Sequence, residues 1–239
     1  LMNDLNYFHN FYKIEEYDMV SKIPKNCKNI IPINKFGNES VIMLYGDTDF
    51  NNIFPRPMSH KIASEIIKIL GNTLLCLLNN DLYYFDLKKT NISYRCMDGK
   101  YIQIFLIDLG SMLISQNEQA YSSTYPPPEQ MVQRNNMDYF YDNTRNTNRA
   151  HSNGFIYINE MSKEQIGQIY VWNLTLLYLS LTDISDINML LFNMDSNTYT
   201  SERLNLLRNN NINPVIRDGL KTLSKGRPTL QNFLNLLSF

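Results

Sequence analysis

The chain has 239 residues, 44% hydrophobic and 19% charged, which is ample apolar material for a core and excludes intrinsic disorder. A formal net charge of -1 excludes the broad basic field that binds nucleic acid, and nine glycines with nine prolines exclude collagen-like and elastic chains. Asparagine is the outlier at 32 residues, but they are scattered among apolar residues, so the excess reads as AT-rich coding bias and not as a prion-like tract.

Residues 11–23 (FYKIEEYDMVSKI) predict a helix, with Tyr12, Ile14, Met19, Val20 and Ile23 able to share one face and Pro24 ending it. The β-prone runs NIIPIN (29–34) and SVIMLY (40–45) flank a turn-like Lys35-Phe36-Gly37-Asn38, which predicts a hairpin. From Ser59, a plausible N-cap, to Asn79 the residues Ile62, Ile66, Ile67, Leu70, Leu74, Leu75 and Leu78 recur at helical spacing. A strand over Ile92–Arg95, a turn at Asp98-Gly99 and a strand over Tyr101–Ile107 predict a two-strand ribbon. Residues 130–160 are polar and asparagine-rich, the best candidate for a mobile stretch. A very apolar helix is expected over Lys163–Leu181, with further helical patterns at Ser201–Arg208 and Pro228–Leu237. The class is α+β with most of the mass helical.

Cys27, Cys76 and Cys96 are odd in number and widely spaced, so neither a zinc pattern nor a disulfide framework is legible, as suits a reducing compartment. His9, His60 and His151 lie too far apart to suggest a metal site. No segment reaches the apolar length of a membrane span and no signal peptide is visible, so the expectation is a cytoplasmic protein.

Chemistry concentrates in four short motifs. Asp86-Leu87-Lys88-Lys89-Thr90-Asn91 lies between the long helix and the ribbon, and Asp108-Leu109-Gly110 ends the ribbon. Pro127-Pro128-Glu129 follows a hydroxyl-rich loop, and Arg227-Pro228-Thr229 opens the last helix. Each triplet alone is weak. In this order and at these intervals they resemble the eukaryotic-type protein kinase family, with a helical C-terminal lobe and a truncated N-terminal lobe.

The resemblance implies phosphoryl transfer from ATP, where catalysis is mostly positioning and charge neutralisation. On that reading Asp86 orients the hydroxyl proton of a protein substrate, and Lys88 meets the transferring phosphate. Asn91 and Asp108 hold Mg through oxygen ligands, and Gly110 supplies flexible backbone after the metal aspartate. Lys88 is the serine/threonine-type choice, and Ser122 and Tyr125 precede Glu129 by seven and four residues, where that class carries Thr and Tyr. The Ser122 hydroxyl would then bond Asp86 and Lys88. Glu129 and Arg227 would form a buried structural ion pair, whose disruption at one partner typically costs about 3–5 kcal/mol, and Trp172 would be core. The implied domain division is a partial N-lobe over 1–46, with a helix and hairpin strands, and a C-lobe over 47–239.

The chain also departs from the pattern. No closely spaced glycines precede residue 37, and Lys13 is too near Glu15 and Glu16 to be the strand lysine of the family. Either the strands that carry these elements lie outside this sequence, which starts at Leu1 and not Met, or the protein lacks them, which would leave ATP without its lid and its α/β-phosphate cation. Tyr84 and Phe85 replace a His-Arg pair ahead of the catalytic aspartate, and Tyr170 replaces an aspartate that anchors the catalytic-loop backbone. Between Glu129 and Trp172 the chain is longer than the family pattern by about thirty residues, an insertion around 130–160. The leading expectation is a Ser/Thr protein kinase using ATP and Mg, with no nucleic-acid partner. The alternative is a pseudokinase that binds another kinase or a host protein. A small-molecule phosphotransferase is disfavoured by the Pro-Pro-Glu and Arg-Pro-Thr elements.

Overall fold

The computed structural model describes residues 7–8, 21–30, 33–36, 40–44, 48–49, 58–97, 101–109, 112, 119–121, 155–157, 161–182, 213–221 and 224–237. Two long helices organise the molecule. Helix α1 spans His60–Asn79, and the Ser59 side chain caps it by accepting a bond from the Ile62 amide at 3.3 Å. Its stripe buries Ile66, Ile67, Leu70, Leu74, Leu77 and Leu78, whereas Ile62, at the helix start, remains 46% exposed. Helix α2 spans Lys163–Leu181 and opens with a reciprocal Ser162–Gln165 capping box. Fifteen of its nineteen residues are buried, so α2 is enclosed on all sides and forms the axis of the core.

Two short helices close the packing. Helix α3 (Pro214–Gly219) has Pro at its start and an Asn213 cap, and α4 (Leu230–Leu236) is capped by Thr229. The α3 helix was not foreseen because six residues carry too little periodicity to register. Glycines let these helices approach one another: a Cβ on Gly71 of α1 would meet Leu234 of α4 and Leu174 of α2, and one on Gly219 would strike Thr175. The expected helical pattern at 201–208 lies outside the described residues.

Among the described residues the strands form three small sheets. Strand β3 (Ser40–Leu44) pairs antiparallel with β2 (Ile33–Phe36) and with β1 (Tyr7–Phe8). The hairpin therefore exists, but its first strand runs later than expected and takes in Lys35 and Phe36, with Phe36 opposite Ser40. Strand β4 (Thr48–Asp49) pairs with β5 (Ile92–Met97), which pairs with β6 (Tyr101–Leu106) in register from Ile92–Leu106 to Met97–Tyr101. Strands β7 (Gln119–Tyr121) and β8 (Phe155–Tyr157) make a further antiparallel pair, so the polar 130–160 stretch contains a strand near its end. Of the helix expected over 11–23, the described part is 21–23, where helical geometry stops after Ser21.

The loop 24–30 is clamped between α1 and β6. Cys27 forms a disulfide with Cys76 of α1, which corrects the reading of the cysteines as unpaired and removes its support for a reducing compartment. Spacing alone could not show this pair because the two residues are separated by 49 positions. The Thr73 hydroxyl donates to Lys28 O at 3.1 Å, and the Leu106 amide donates to Asn29 O at 2.8 Å. The expectation that no segment has the apolar length of a span meets one exception among the described residues: α1 is long and apolar enough, at a mean hydropathy of 1.4. Its apolar face, however, is core packed on α2 and α4.

Candidate active site

The site is built by the β5–β6 ribbon. The chain leaves α1, runs through a buried segment Leu82–Phe85, reaches Asp86, and makes a 3-10 turn over Lys89–Asn91 before entering β5. Strand β6 returns alongside, and the final ladder pair Ile92–Leu106 puts the entrance of β5 next to the exit of β6. One residue further, the Ile107 amide donates to Asn91 O at 2.9 Å. Asp108 thereby follows directly on a residue bonded to the Asp86–Asn91 loop. Asn91 and Ile107, far apart in the chain, become neighbours because strands β5 and β6 pair between them.

Three predicted side chains meet within this loop. Lys88 Nζ and Asp86 Oδ2 form an ion pair at 2.7 Å. Asn91 Nδ2 donates to Asp86 Oδ2 at 2.8 Å and to Asp86 O at 2.9 Å. A carboxylate and a carbonyl only accept, so the amide nitrogen must face Asp86. Asn91 Oδ1 is therefore turned the other way, with a 3.5 Å contact from the Thr90 hydroxyl. Asp108 is exposed and holds a left-handed φ of 55°. That conformation is unfavourable for a residue with a Cβ, and such strain persists where surrounding structure enforces it, often at functional sites.

By donor type, residues of this loop could hold a magnesium ion. Mg favours oxygen ligands and is commonly held by one or two carboxylates, with water and substrate phosphate completing its shell. Asn91 Oδ1 and the Asp108 carboxylate are the two protein oxygens of that kind. Among the described residues no group of three or more His, Cys, Asp or Glu is placed to hold a metal ion.

The replaced positions take up polar duties of their own. Tyr84 is fully buried, and its hydroxyl lies 3.1 Å from Asp86 O and 3.2 Å from Ile107 O while accepting from Asn91 Nδ2 at 3.1 Å. Burial holds its phenol well above the ordinary value of 10.0; the Asn91 bond opposes this, and the Asp86 and Asp108 charges add to it. Tyr170 of α2 is also fully buried, and its hydroxyl accepts the Tyr84 backbone N–H at 3.0 Å. Its ring packs on Phe85 with centroids 5.6 Å apart. Lys89, not singled out from the sequence, donates to Ser180 O near the end of α2 at 2.6 Å and ties the loop to the core helix. A lysine among loop residues carries no signal of that reach.

Arg227 is buried, donates from Nε to Lys221 O at 2.8 Å, and stacks 4.8 Å above the Trp172 ring. Trp172 is fully buried, as expected of core. Gly110, Ser122, Tyr125 and Glu129 lie outside the described residues, as does most of the 130–160 insertion.

No protein-family model and no curated protein matches the sequence. Solved structures do match in fold. The Rad53 kinase domain with SCD2 in complex with AMPPNP superposes with a TM-score of 0.61 at 13% identity, over 98% of this chain and 82% of that one. A second Rad53 kinase domain structure with SCD2 gives 0.61 at 12% identity, over 98% and 79%. The PknI kinase domain of Mycobacterium tuberculosis gives 0.55 at 16% identity, over 93% and 75%. The chain has the protein kinase fold.

The helix-dominated architecture with its small sheets is consistent with a helical C-lobe and a reduced N-lobe. The Asp86–Asn91 loop and Asp108 flank the β5–β6 ribbon of this kinase-like molecule.

Proposed function

We propose that the chain is a Ser/Thr-type protein kinase that transfers the γ-phosphate of ATP to a protein hydroxyl. The observation that carries this reading is the forced orientation of Asn91. Its nitrogen is held on Asp86, which leaves Oδ1 as its side-chain acceptor, while its backbone carbonyl binds the amide of Ile107, the residue before Asp108.

Asp86 is half-buried and accepts from Lys88 and Asn91 on one oxygen, Oδ2. Oδ1 is then the oxygen to orient an incoming hydroxyl and receive its proton. Lys88 is partly exposed, with 35% of its side chain accessible, and can follow charge from Asp86 toward a transferring phosphate. Asn91 and Asp108 would hold Mg, whose chemistry is to neutralise phosphate charge. Gly110, two positions after Asp108 in the sequence, and Ser122 and Tyr125, in the expected substrate loop, complete the proposal from sequence alone, as does a lobe boundary near residues 46–47. The AMPPNP named for one Rad53 structure supports a nucleotide ligand for this fold.

The decisive test has two steps on the full chain. A thermal-shift titration with ATP should raise the melting temperature more with Mg than without it, since a ligand of the native state must stabilise it. Radiolabel transfer to a generic basic protein or to itself should then disappear in Asp86→Ala and in Asp108→Asn. Transfer that survives in both variants would defeat the reading.

A binding-only role is the second reading, supported by the uncharged Phe85–Tyr170 pair where the resemblance implies charged residues. It predicts that Asp86→Ala leaves the biological effect intact while surface changes in the 130–160 insertion remove partner binding.

A further inference from the structure

We infer that the Tyr84 hydroxyl is a positioning group that locks the Asp86–Asn91 loop to the segment carrying Asp108. The inference deepens the phosphotransfer reading and rests on it.

Both backbone polar groups of Ile107 are met from the Tyr84–Asn91 segment. Its N–H donates to Asn91 O at 2.9 Å, and its carbonyl oxygen lies 3.2 Å from the Tyr84 hydroxyl. These contacts lie just beyond the last ladder pair, Ile92–Leu106. They therefore extend the pairing by one residue, up to the strained Asp108. A phenol has one proton and two lone pairs. The phenol oxygen lies 3.1 Å from Asp86 O and 3.2 Å from Ile107 O, so its one proton is shared between the two segments, and a lone pair shares in the two hydrogens of Asn91 Nδ2, which also bond Asp86.

One oxygen thus touches both halves of the site: it helps hold the Asn91 amide in its productive orientation, and it fixes the backbone immediately before Asp108. Tyr84 itself is fixed from below. Its own N–H donates to Tyr170 on α2, so the chain of contacts runs from the core helix to both candidate metal ligands.

The test is Tyr84→Phe in the full chain, because the ring continues to fill the same space. Amide exchange at Asp86–Asn91 and Ile107–Leu109 should accelerate about tenfold while amides of the β5–β6 ladder keep their protection. In parallel, the Mg-dependent part of ATP affinity should fall about tenfold with Mg-free ATP binding unchanged. Tyr84→His, which keeps a ring and a donor, should restore part of both.

Unchanged exchange in the two segments overturns the inference, as does a uniform acceleration across the chain, which would make Tyr84 a core residue only. If wild-type protein shows no Mg-dependent ATP binding, the phosphotransfer reading fails with the catalytic use of the lock. The exchange arm still reports independently whether the lock itself exists.

Discussion

Asn91 lies where sign matters more than size. Its Nδ2 faces Asp86 Oδ2 at 2.8 Å, so Asn91→Asp would replace a donor by an acceptor and set two carboxylates in contact. Losing a bond to a charged group and adding repulsion should lower phosphate transfer at least tenfold, by roughly 1.5–3 kcal/mol, with little change in volume. A steady-state assay at saturating ATP and Mg decides it, and unchanged turnover would refute the role given to this amide. Arg227 poses a different residue-scale question, because its planar group both donates to Lys221 O and stacks on Trp172. Arg227→Lys keeps the charge but loses the plane, and urea unfolding should show a loss of about 1–2 kcal/mol. Equal stability would mean that charge alone matters at this position.

Elements are held together here by contacts that composition does not reveal. The Cys27–Cys76 disulfide closes a long stretch between the loop 24–30 and α1. Cys76→Ser should lower stability by about 2–4 kcal/mol through the wider unfolded ensemble. Reductant should have the same effect on wild-type protein and none on the variant; a variant as stable as oxidised wild type would refute the crosslink. Helix α3 reaches α2 where Gly219 meets Thr175, whose hydroxyl is itself bound to Val171 O at 2.7 Å. Gly219→Ala should therefore cost about 1–3 kcal/mol from overpacking, measured by the same unfolding experiment. The long helices were legible because α1 and α2 bury enough apolar residues to impose a pattern, and both begin at a serine cap. Strand β2 was misplaced by several residues because β-prone residues extend on both sides of the true pairing, and register is decided by the partner strand.

At the scale of the whole molecule, buried tyrosines set a limit at high pH. Burial raises Tyr84 and Tyr170 above the ordinary value and pushes Tyr178 up to about 12. Below pH 10 each is protonated in both folded and unfolded chains, so the full stability is present. Above it the unfolded chain releases protons that the folded chain keeps, and stability falls by about 1.4 kcal/mol per pH unit for each such tyrosine. Urea unfolding between pH 9 and 11.5 should show this decline. Tyr170→Phe should be less stable at pH 8, having lost the bond to Tyr84 N–H, yet show a shallower alkaline slope. An unchanged slope would remove Tyr170 from the account.

The sequence by itself determined the helical core, the ribbon, and the residue types at Asp86, Lys88, Asn91 and Asp108, because periodicity and short-range motif spacing are local properties of a chain. It also marked Tyr84, Phe85 and Tyr170 as departures, though not what they do. Only the tertiary structure decided that Asn91 turns its nitrogen to Asp86, that Tyr84 reaches Ile107, that Tyr170 holds the Tyr84 backbone and that Cys27 meets Cys76. Each of these depends on a partner brought near by folding and not by spacing. A buried polar atom must find such a partner, and which one it finds is set by packing.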